Sequence, residues 1–202
     1  MVLNTEIMRE VGRTRLPIPG TWFIDPVHSR VEFIARHMMV SKVRGRFRDM
    51  SGVIYIDQVP ERSAVEATLD AASIDTGDEQ RDNHLRSADF LDVERYPVLR
   101  FVSVSLSRIP LTEDGDSDKW QLDGELTVKD MTRPVSLEVE LGGVVVDPWG
   151  NVRAGFQAWT EINREDFGIT WNQAMEAGGF LVGKWLKVEI EVEAVRQSDS
   201  DE

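Results

Sequence analysis

The chain has 202 residues, which suits one domain and is long enough to bury most of its unfolded surface in a single core. Its 41% hydrophobic and 29% charged residues exclude a disordered chain and a membrane-embedded one. With 36 acids, 23 bases and no cysteine, the net charge of −13 disfavours nucleic-acid and anionic-membrane partners, and disulfides, thiolate metal sites and thiol nucleophiles are excluded.

The first twenty residues read MVLNTEIMREVGRTRLPIPG and contain five charged side chains. They include no apolar run of the length that a secretory signal needs. We therefore expect residues 1–20 to be an N-terminal extension and the protein to be cytoplasmic. No other segment approaches the ~20 apolar residues of a membrane-spanning helix.

The next part of the chain carries strand-like segments: TWFID, SRVEFIARH, VRGRFRDM with GVIYID, and SAVEATLDAASI. In an extended VRGRFR, the side chains of Arg44, Arg46 and Arg48 share one face. This basic stripe has two interpretations. It can meet a carboxylate or phosphate head group, or it can pair with acids of neighbouring strands on the outer surface, which is the commoner situation.

Residues 76–90, TGDEQRDNHLRSADF, are almost free of apolar side chains. Thr76 or Asp78 can cap a short helix through EQRDNHLRS. His84 lies close in sequence to Asp82 and Asp89, but this spacing matches no metal-binding pattern. We predict a surface helix with no bound metal.

Period-two alternation dominates the rest of the chain. WQLDGELTV places Trp120, Leu122, Leu126 and Val128 on one face, and VSLEVEL and LKVEIEVEAV follow the same pattern. The first two segments should pair around KDMTRP, NREDFG should form a turn or a single helical turn, and residues 197–202 should form a disordered acidic tail. About eight antiparallel strands with regular turns indicate an up-and-down barrel or a sandwich.

No residues point to nucleophilic catalysis, because the chain has no cysteine and no nucleophile elbow. His28 and Ser29 are neighbours on an extended segment and project to opposite sides, so Asp25 to Ser29 is better explained as a turn. Aromatic residues concentrate in the C-terminal part of the chain. From the residues alone, these rings favour a filled core over a ligand cavity.

Four long stretches resemble the YceI-like, or polyisoprenoid-binding, family: TWFIDPVHSRVEFIARHMMVSKVRGRFRDMSGVIYID, ASIDTGDEQRDNHLRSADFLDVERYPVLRFVSVSL, LDGELTVKDMTRPVSLEVEL and AGFQAWTEINREDFGITW. The resemblance implies one domain over residues 21–196, an all-β, elongated, lipocalin-like, antiparallel up-and-down barrel of eight strands with one or two short helices. It also implies a long apolar cavity for an isoprenoid, a quinone or a similar lipid. The cavity residues selected on this basis are Phe33, His37, Met38, Phe47, Phe101, Phe156, Trp159, Phe167, Ile169 and Trp171.

A charged head group would need local cations in so acidic a chain, and the candidates are Arg44, Arg46, Arg81, His84 and Arg86. The resemblance implies a binding protein without catalytic residues, metal or cofactor other than the lipid, and it makes a homodimer plausible. Two alternatives stay open. One is an enzyme that uses His37 or His84 as proton carrier at the barrel mouth, and the other is a stress or interaction module with a plugged barrel. Many members of the family are exported, whereas no signal is visible in this sequence.

Overall fold

A computed structural model describes residues 7–12, 14–110, 119–175 and 178–198 of the chain. Its strands are β1 (Met8–Val11), β2 (Thr14–Pro17), β3 (Gly20–Ile24), β4 (Arg30–His37), β5 (Ser41–Phe47), β6 (Met50–Ile56), β7 (Ala64–Asp70), β8 (Ile74–Asp75), β9 (Val98–Arg108), β10 (Lys119–Val128), β11 (Met131–Val146), β12 (Val152–Asn163) and β13 (Val182–Arg196). The α-helix is α1 (Glu79–Arg86), and 3₁₀ turns lie at Pro60–Arg62, Ala71–Ser73 and Arg164–Phe167. None of these helices has the length and apolarity to cross a membrane. Residues 199–202 of the predicted acidic tail lie outside the described residues.

The strands form a closed, eight-stranded antiparallel barrel, as the resemblance implied. Three wall positions are each built from two consecutive strands: β3 with β4, β5 with β6, and β7 with β8. Each position pairs with the next along the chain, and β13 closes the ring by pairing with β12 on one side and with both β3 and β4 on the other. The topology is therefore a simple meander.

The alternation in the sequence places one face of each strand inside the barrel. β10 pairs with β11 as predicted, and the register places Trp120 opposite Val139 and Leu122 opposite Leu137. The turn is tighter than KDMTRP suggested, because β11 begins at Met131. At about 3.3 Å per residue, the 15 residues of β13 span roughly 50 Å, which makes the barrel elongated.

Different elements cover the two ends of the barrel. At one end, which we call the helix end, α1 and the Arg164–Phe167 turn lie over a buried cluster that includes Phe90, Leu91 and Phe167. At the other, the hairpin end, β1 and β2 form a separate two-stranded sheet. Ile7, just before β1, belongs to the same buried cluster as the fully buried Trp22. The predicted extension thus contributes a structured hairpin to the barrel end.

Candidate functional site

The interior of the barrel contains a cavity of about 370 Å³. This volume lies within the range of small-molecule binding sites. Most of the side chains that β10 to β13 contribute to its lining are aliphatic or aromatic, and they include Trp120, Leu122, Leu126, Val128, Val135, Leu137, Val139, Leu141, Phe156, Ala158, Ile162, Val188, Ile190 and Val192. Side chains therefore do not fill this barrel, contrary to what the residues alone favoured, and the plugged-barrel alternative loses its motivation.

Two glycines give aromatic rings room on the inner wall. Gly45 lies opposite Phe33 across the β4 and β5 pair, and a Cβ added to it would meet the Phe33 ring at 2.3 Å. A Cβ added to Gly124 would meet the Phe101 ring at 2.4 Å. Because real Cβ atoms do not approach so closely, these positions need glycine for the rings to lie against the wall. Because the two glycines have no side chain, the rings fit against the wall and leave the cavity open.

The polar exceptions in the lining are few. Among the described residues that line the cavity, five carry a polar or charged side chain and none is an aspartate or glutamate: Arg9, Ser63, Arg100, Thr160 and Arg164. The Arg100 side chain is mostly exposed and pairs with Glu66 at 3.4 Å on the outer surface. In a chain of net charge −13, the ionisable lining is thus cationic.

Arg164 lies in the 3₁₀ turn that follows β12, and it is only 2% exposed. Its guanidinium bonds three carbonyls: Nε donates to Gly183 at 3.0 Å, and Nη1 donates to Ile169 at 2.8 Å and to Trp171 at 2.9 Å. Its Nη2 is buried and has no hydrogen-bond partner. Burial lowers the pKa of the guanidinium from its ordinary value, while the nearby Glu165 carboxylate opposes this shift. An arginine nevertheless stays charged in proteins.

At the hairpin end, Arg9 fastens the β1 and β2 hairpin to the loop after β6. Its guanidinium donates to the backbone carbonyls of Asp57 and Gln58, and to Gln58 Oε1 at 3.1 Å. Ile18 N donates to Ile7 O at 3.2 Å across the base of the hairpin. The hairpin is therefore held against this end of the cavity by backbone and side-chain hydrogen bonds.

Polar side chains within residues 76–90 stabilise α1 and connect it to the barrel. Asp78 is its N-cap and accepts from Arg81 N at 2.9 Å, as one of the two predicted caps. Asp82 is buried and accepts from Thr76 N and Oγ1 at 2.9 and 2.6 Å. Arg86 donates to the carbonyls of Ala72 and Ile74. The Arg86 bonds hold the helix at the barrel end, where Leu85 also packs against the buried cluster.

Six of the ten predicted cavity residues lie in the lining: Phe33, Phe47, Phe101, Phe156, Phe167 and Ile169. Their contact with a ligand stays a prediction. The expected position in the lining is wrong for the other four. His37 ends β4, Met38 is exposed in the following turn at a φ of 49°, and Trp159 lies on the outer face between Glu138 and Glu189. Trp171 packs edge-on against His84, with ring centroids 4.6 Å apart.

None of the five predicted head-group residues lines the barrel cavity. Arg44 pairs with Glu189 at 3.2 Å, and Arg46 pairs with Asp75 at 3.2 Å, so the outer-surface interpretation of the arginine stripe is the one the structure shows. The Arg48 guanidinium joins Asp75 at 2.8 Å and, with the Gly77 amide and Arg46, holds the pKa of Asp75 at about 2.

The remaining head-group candidates lie in α1. Arg81 donates to Thr76 Oγ1 at 2.7 Å and to Thr76 O at 3.0 Å. Arg86 is engaged with backbone carbonyls. His84 Nε2 lies 3.0 Å from Asp89 Oδ2. These side chains stabilise the helix end and are not directed into the lining.

The sequence reasoning did not select Thr160 and Arg164. A signal was present, however. Phe156, Ala158, Thr160 and Ile162 line the cavity at alternate positions of β12, and Arg164 follows with the same parity. Period two therefore places Thr160 on the inner face, and Arg164 begins the turn that follows β12, although neither residue type suggests burial.

One group of described residues lies close enough to share a metal ion: Asp25, His28 and Glu193. The Arg153 guanidinium already lies among them, with Nη1 2.7 Å from Asp25 Oδ2 and 2.6 Å from Glu193 Oε1. Its Nε donates to Asp147 Oδ2 at 2.8 Å. The hydrogen bond from Arg153, followed by that from His28, lowers the pKa of Asp25 to about 2. The arrangement is an ion-pair network that ties the strand ends together, and the predicted turn at Asp25 is part of it.

The fold and the interior together define an elongated antiparallel barrel with a buried apolar cavity. Comparison with known families then gives a particular assignment, because the model of the YceI-like domain matches residues 22–194. The chain belongs to this family. Protein YceI of Escherichia coli O157:H7 is 39% identical over 143 residues, which cover 70% of this chain and 71% of the relative.

Solved structures share the fold. The Campylobacter jejuni YCEI protein is 29% identical, with a TM-score of 0.67, over 81% of this chain and 90% of that structure. A polyisoprenoid-binding domain from Saccharophagus degradans is 14% identical, with a TM-score of 0.60, over 89% of this chain and 100% of that domain. At this identity, the second likeness concerns the fold alone.

Proposed function

We propose that this protein binds one isoprenoid or similar long-chain lipid, of the polyprenyl or quinone type, in its barrel cavity, and that it acts as a carrier, store or sequestering protein. The observation that carries the proposal is the cavity of about 370 Å³ with its almost wholly apolar lining. An apolar lining allows a long apolar tail to leave water, which favours binding.

Apolar contact alone supplies enough free energy for binding. Each buried CH₂ contributes about 0.8 kcal/mol, so a tail of ten such groups gains roughly 8 kcal/mol before the cost of ordering the tail is subtracted. The strands close the barrel through their own pairing, so the cavity is largely preformed, and this reduces that cost. A slender tail also suits an eight-stranded barrel, whose interior holds little more than one small ligand.

Family membership supports this proposal, and the Saccharophagus degradans domain of the same fold is named as polyisoprenoid-binding. We further propose that the protein is not an enzyme. Neither His37 nor His84, the two proton carriers considered for the barrel mouth, is in the described lining, which favours binding over catalysis in the cavity.

Native mass spectrometry of detergent-free protein, followed by organic extraction, tests the proposal directly. We expect one lipid per barrel, or uptake of added geranylgeraniol or ubiquinone by a barrel that is empty. Ala158→Phe should reduce binding at least about tenfold, because Ala158 is a buried lining residue and the new ring occupies the cavity. Gln157→Phe is the matched control, since Gln157 is exposed on the same strand. A wild-type barrel that is empty and takes up neither lipid would refute the proposal.

A further inference from the structure

Two adjacent turns form an exposed apolar surface at the helix end of the barrel. The first turn, between β4 and β5, contains Met38, Met39 and Val40, and Met39 is 66% and Val40 82% exposed. The second turn comes just before β13, where Leu181 O accepts a hydrogen bond from Met38 N at 2.9 Å and Phe180 is 55% exposed. We call the side chains of Met38, Met39, Val40 and Phe180 the apolar tip. Apolar side chains that are grouped on a surface mark a contact site, whereas scattered ones do not.

The backbone of the first turn is one that its residue types adopt reluctantly. Met38 and Met39 have φ values of 49° and 63°, and Val40 N donates to His37 O at 3.1 Å. A turn with two central residues at positive φ favours asparagine and glycine, because a Cβ is strained there. The two methionines therefore make this turn less stable, and their exposed side chains add little packing within the chain. Their contribution lies in a contact outside it.

The strands that carry the apolar tip have a charge opposite to that of the whole chain. Residues 33–48 contain five lysines and arginines, residues 178–188 contain two, and neither range contains an aspartate or a glutamate, although the net charge is −13. Arg36 and Lys42 pair across β4 and β5 just behind the tip, and both are exposed. Neither has an ion-pair partner among the residues that the structure describes. The tip thus complements an anionic surface.

From these observations we infer that the apolar tip inserts into the surface of a lipid bilayer that contains anionic lipids, with Arg36 and Lys42 among the head groups. Trp185 follows on the outer side of β13, is 56% exposed, and is of the residue type that prefers the boundary between head groups and acyl chains. Docking of this kind would let the proposed carrier exchange lipid with a membrane. It does not require the proposed function, because no side chain of the tip is in the described lining of the cavity.

Shape and charge favour a bilayer over a second copy of the chain. In a symmetric dimer through the tip, Arg36 and Lys42 would approach the same cations of the other copy. A stable interface also buries about 800 Å² on each side, which is more than four partly exposed side chains supply. The net charge of −13 repels an anionic bilayer as a whole, but salt screens charges beyond about 10 Å. The nearby cations therefore dominate when the tip approaches first.

Sedimentation with sucrose-loaded vesicles tests the inference on the wild-type protein. We expect binding to vesicles of phosphatidylcholine and phosphatidylglycerol to be at least about tenfold tighter than to phosphatidylcholine alone, because each basic residue near an anionic surface adds to the affinity. No association with either vesicle, or equal affinity for both, would overturn the inference. Uptake of geranylgeraniol measured in parallel keeps the two proposals apart, since uptake without vesicle binding would overturn this inference and leave the lipid-binding function standing.

A double variant removes the apolar side chains without weakening the turn. Met38→Asn with Met39→Gly supplies the residues that such a turn prefers, so the thermal midpoint should stay the same or rise. Vesicle binding should weaken at least about tenfold, because two apolar side chains no longer insert. Trp149→Ala is the control, since Trp149 is 81% exposed in the turn between β11 and β12 at the other end of the barrel. Unchanged binding by the double variant, or a loss confined to Trp149→Ala, would overturn the inference.

A pair of charge variants tests the position of the cations. Lys42→Gln should weaken binding to the anionic vesicles about fivefold, which is the usual contribution of one basic residue at such a surface. Arg44→Gln removes the same charge from the same strand, but Arg44 lies further from the tip and pairs with Glu189 at 3.2 Å, so its effect should be smaller. Equal losses in the two variants would contradict docking through the tip.

Two measurements complete the test. Brominated phosphatidylcholine in the anionic vesicles should quench Trp185, and the difference between wild type and Trp185→Phe isolates that signal; an absent difference would contradict insertion at this end. Sedimentation velocity without vesicles should show a monomer. A wild-type dimer that dissociates in Met38→Asn with Met39→Gly would overturn the inference and assign the tip to a second copy.

Discussion

Gly45→Ala should destabilise the barrel by pushing the Phe33 ring away from the wall. The added Cβ would lie 2.3 Å from Phe33 Cζ and 2.8 Å from Thr76 Cγ2, whereas ordinary contact begins at 3.4 Å, so the ring must move by about 1.1 Å. Phe33 lines the cavity, and the ring therefore has space to move into. We expect a loss of about 1 to 3 kcal/mol in the free energy of unfolding, the usual cost of overpacking, together with weaker lipid binding.

Urea unfolding of four proteins measures this effect as a double-mutant cycle: wild type, Gly45→Ala, Phe33→Ala and the double variant. Removal of the ring takes away the two nearest of these contacts and leaves Thr76 Cγ2, so Gly45→Ala should cost about 1 kcal/mol less in the Phe33→Ala background. Gly155→Ala is the control, because no atom lies within 4 Å of its added Cβ, and its stability should be unchanged or rise by up to about 1 kcal/mol. Equal costs of Gly45→Ala in both backgrounds would refute the reasoning.

Three further predictions concern stability. Arg153 and its neighbours lower the pKa of Asp25 from 3.8 to about 2, so this carboxylate stabilises the fold above about pH 4 and its contribution is lost as the pH falls toward 2. Asp25→Asn should therefore reduce the loss of stability between pH 4 and pH 2 in urea unfolding. An unaltered pH profile would contradict this prediction. Trp22 is 0% exposed, so Trp22→Ala should cost about 3 to 5 kcal/mol, against less than about 0.5 kcal/mol for the exposed Trp149→Ala; similar thermal midpoints for the two variants would be unexpected. Asp78→Ala removes the helix cap and should cost about 0.5 to 2 kcal/mol, most of it restored by Asp78→Asn, and an unchanged midpoint would show that the helix unfolds separately from the barrel.

Local chemistry was enough to predict the walls of the barrel. Alternation in WQLDGELTV and VSLEVEL predicted which residues share the inner face, and Leu122 and Leu137, which the structure pairs, both lie on it. The cap at Asp78 could likewise be proposed from the sequence, because a short acidic side chain just before a helical segment is a preferred N-cap. These features depend on neighbours in sequence, which the chain displays directly.

Residue type alone was not enough to predict which side chains line the cavity. Phe156 and Trp159 were both expected inside, but they are three positions apart on one strand, and a regular strand sends such residues to opposite faces. Aromatic character was therefore a poorer guide than parity. Arg164 was missed for a related reason, since its three carbonyl partners lie 5 to 19 residues away and the chain gives no sign that they meet.

The closure of the ring by β13 has a consequence for synthesis of the protein. Until Val182–Arg196 leaves the ribosome, β12 and the β3 and β4 position have no partner on their open sides, and the apolar inner wall is accessible to water and to other nascent chains. All earlier strands can pair with a neighbour as they emerge, because each wall position before β13 pairs with the position that precedes it along the chain. The interval before the last strand arrives is thus the period in which the nascent barrel is most exposed to aggregation through its open edges and its apolar inner wall.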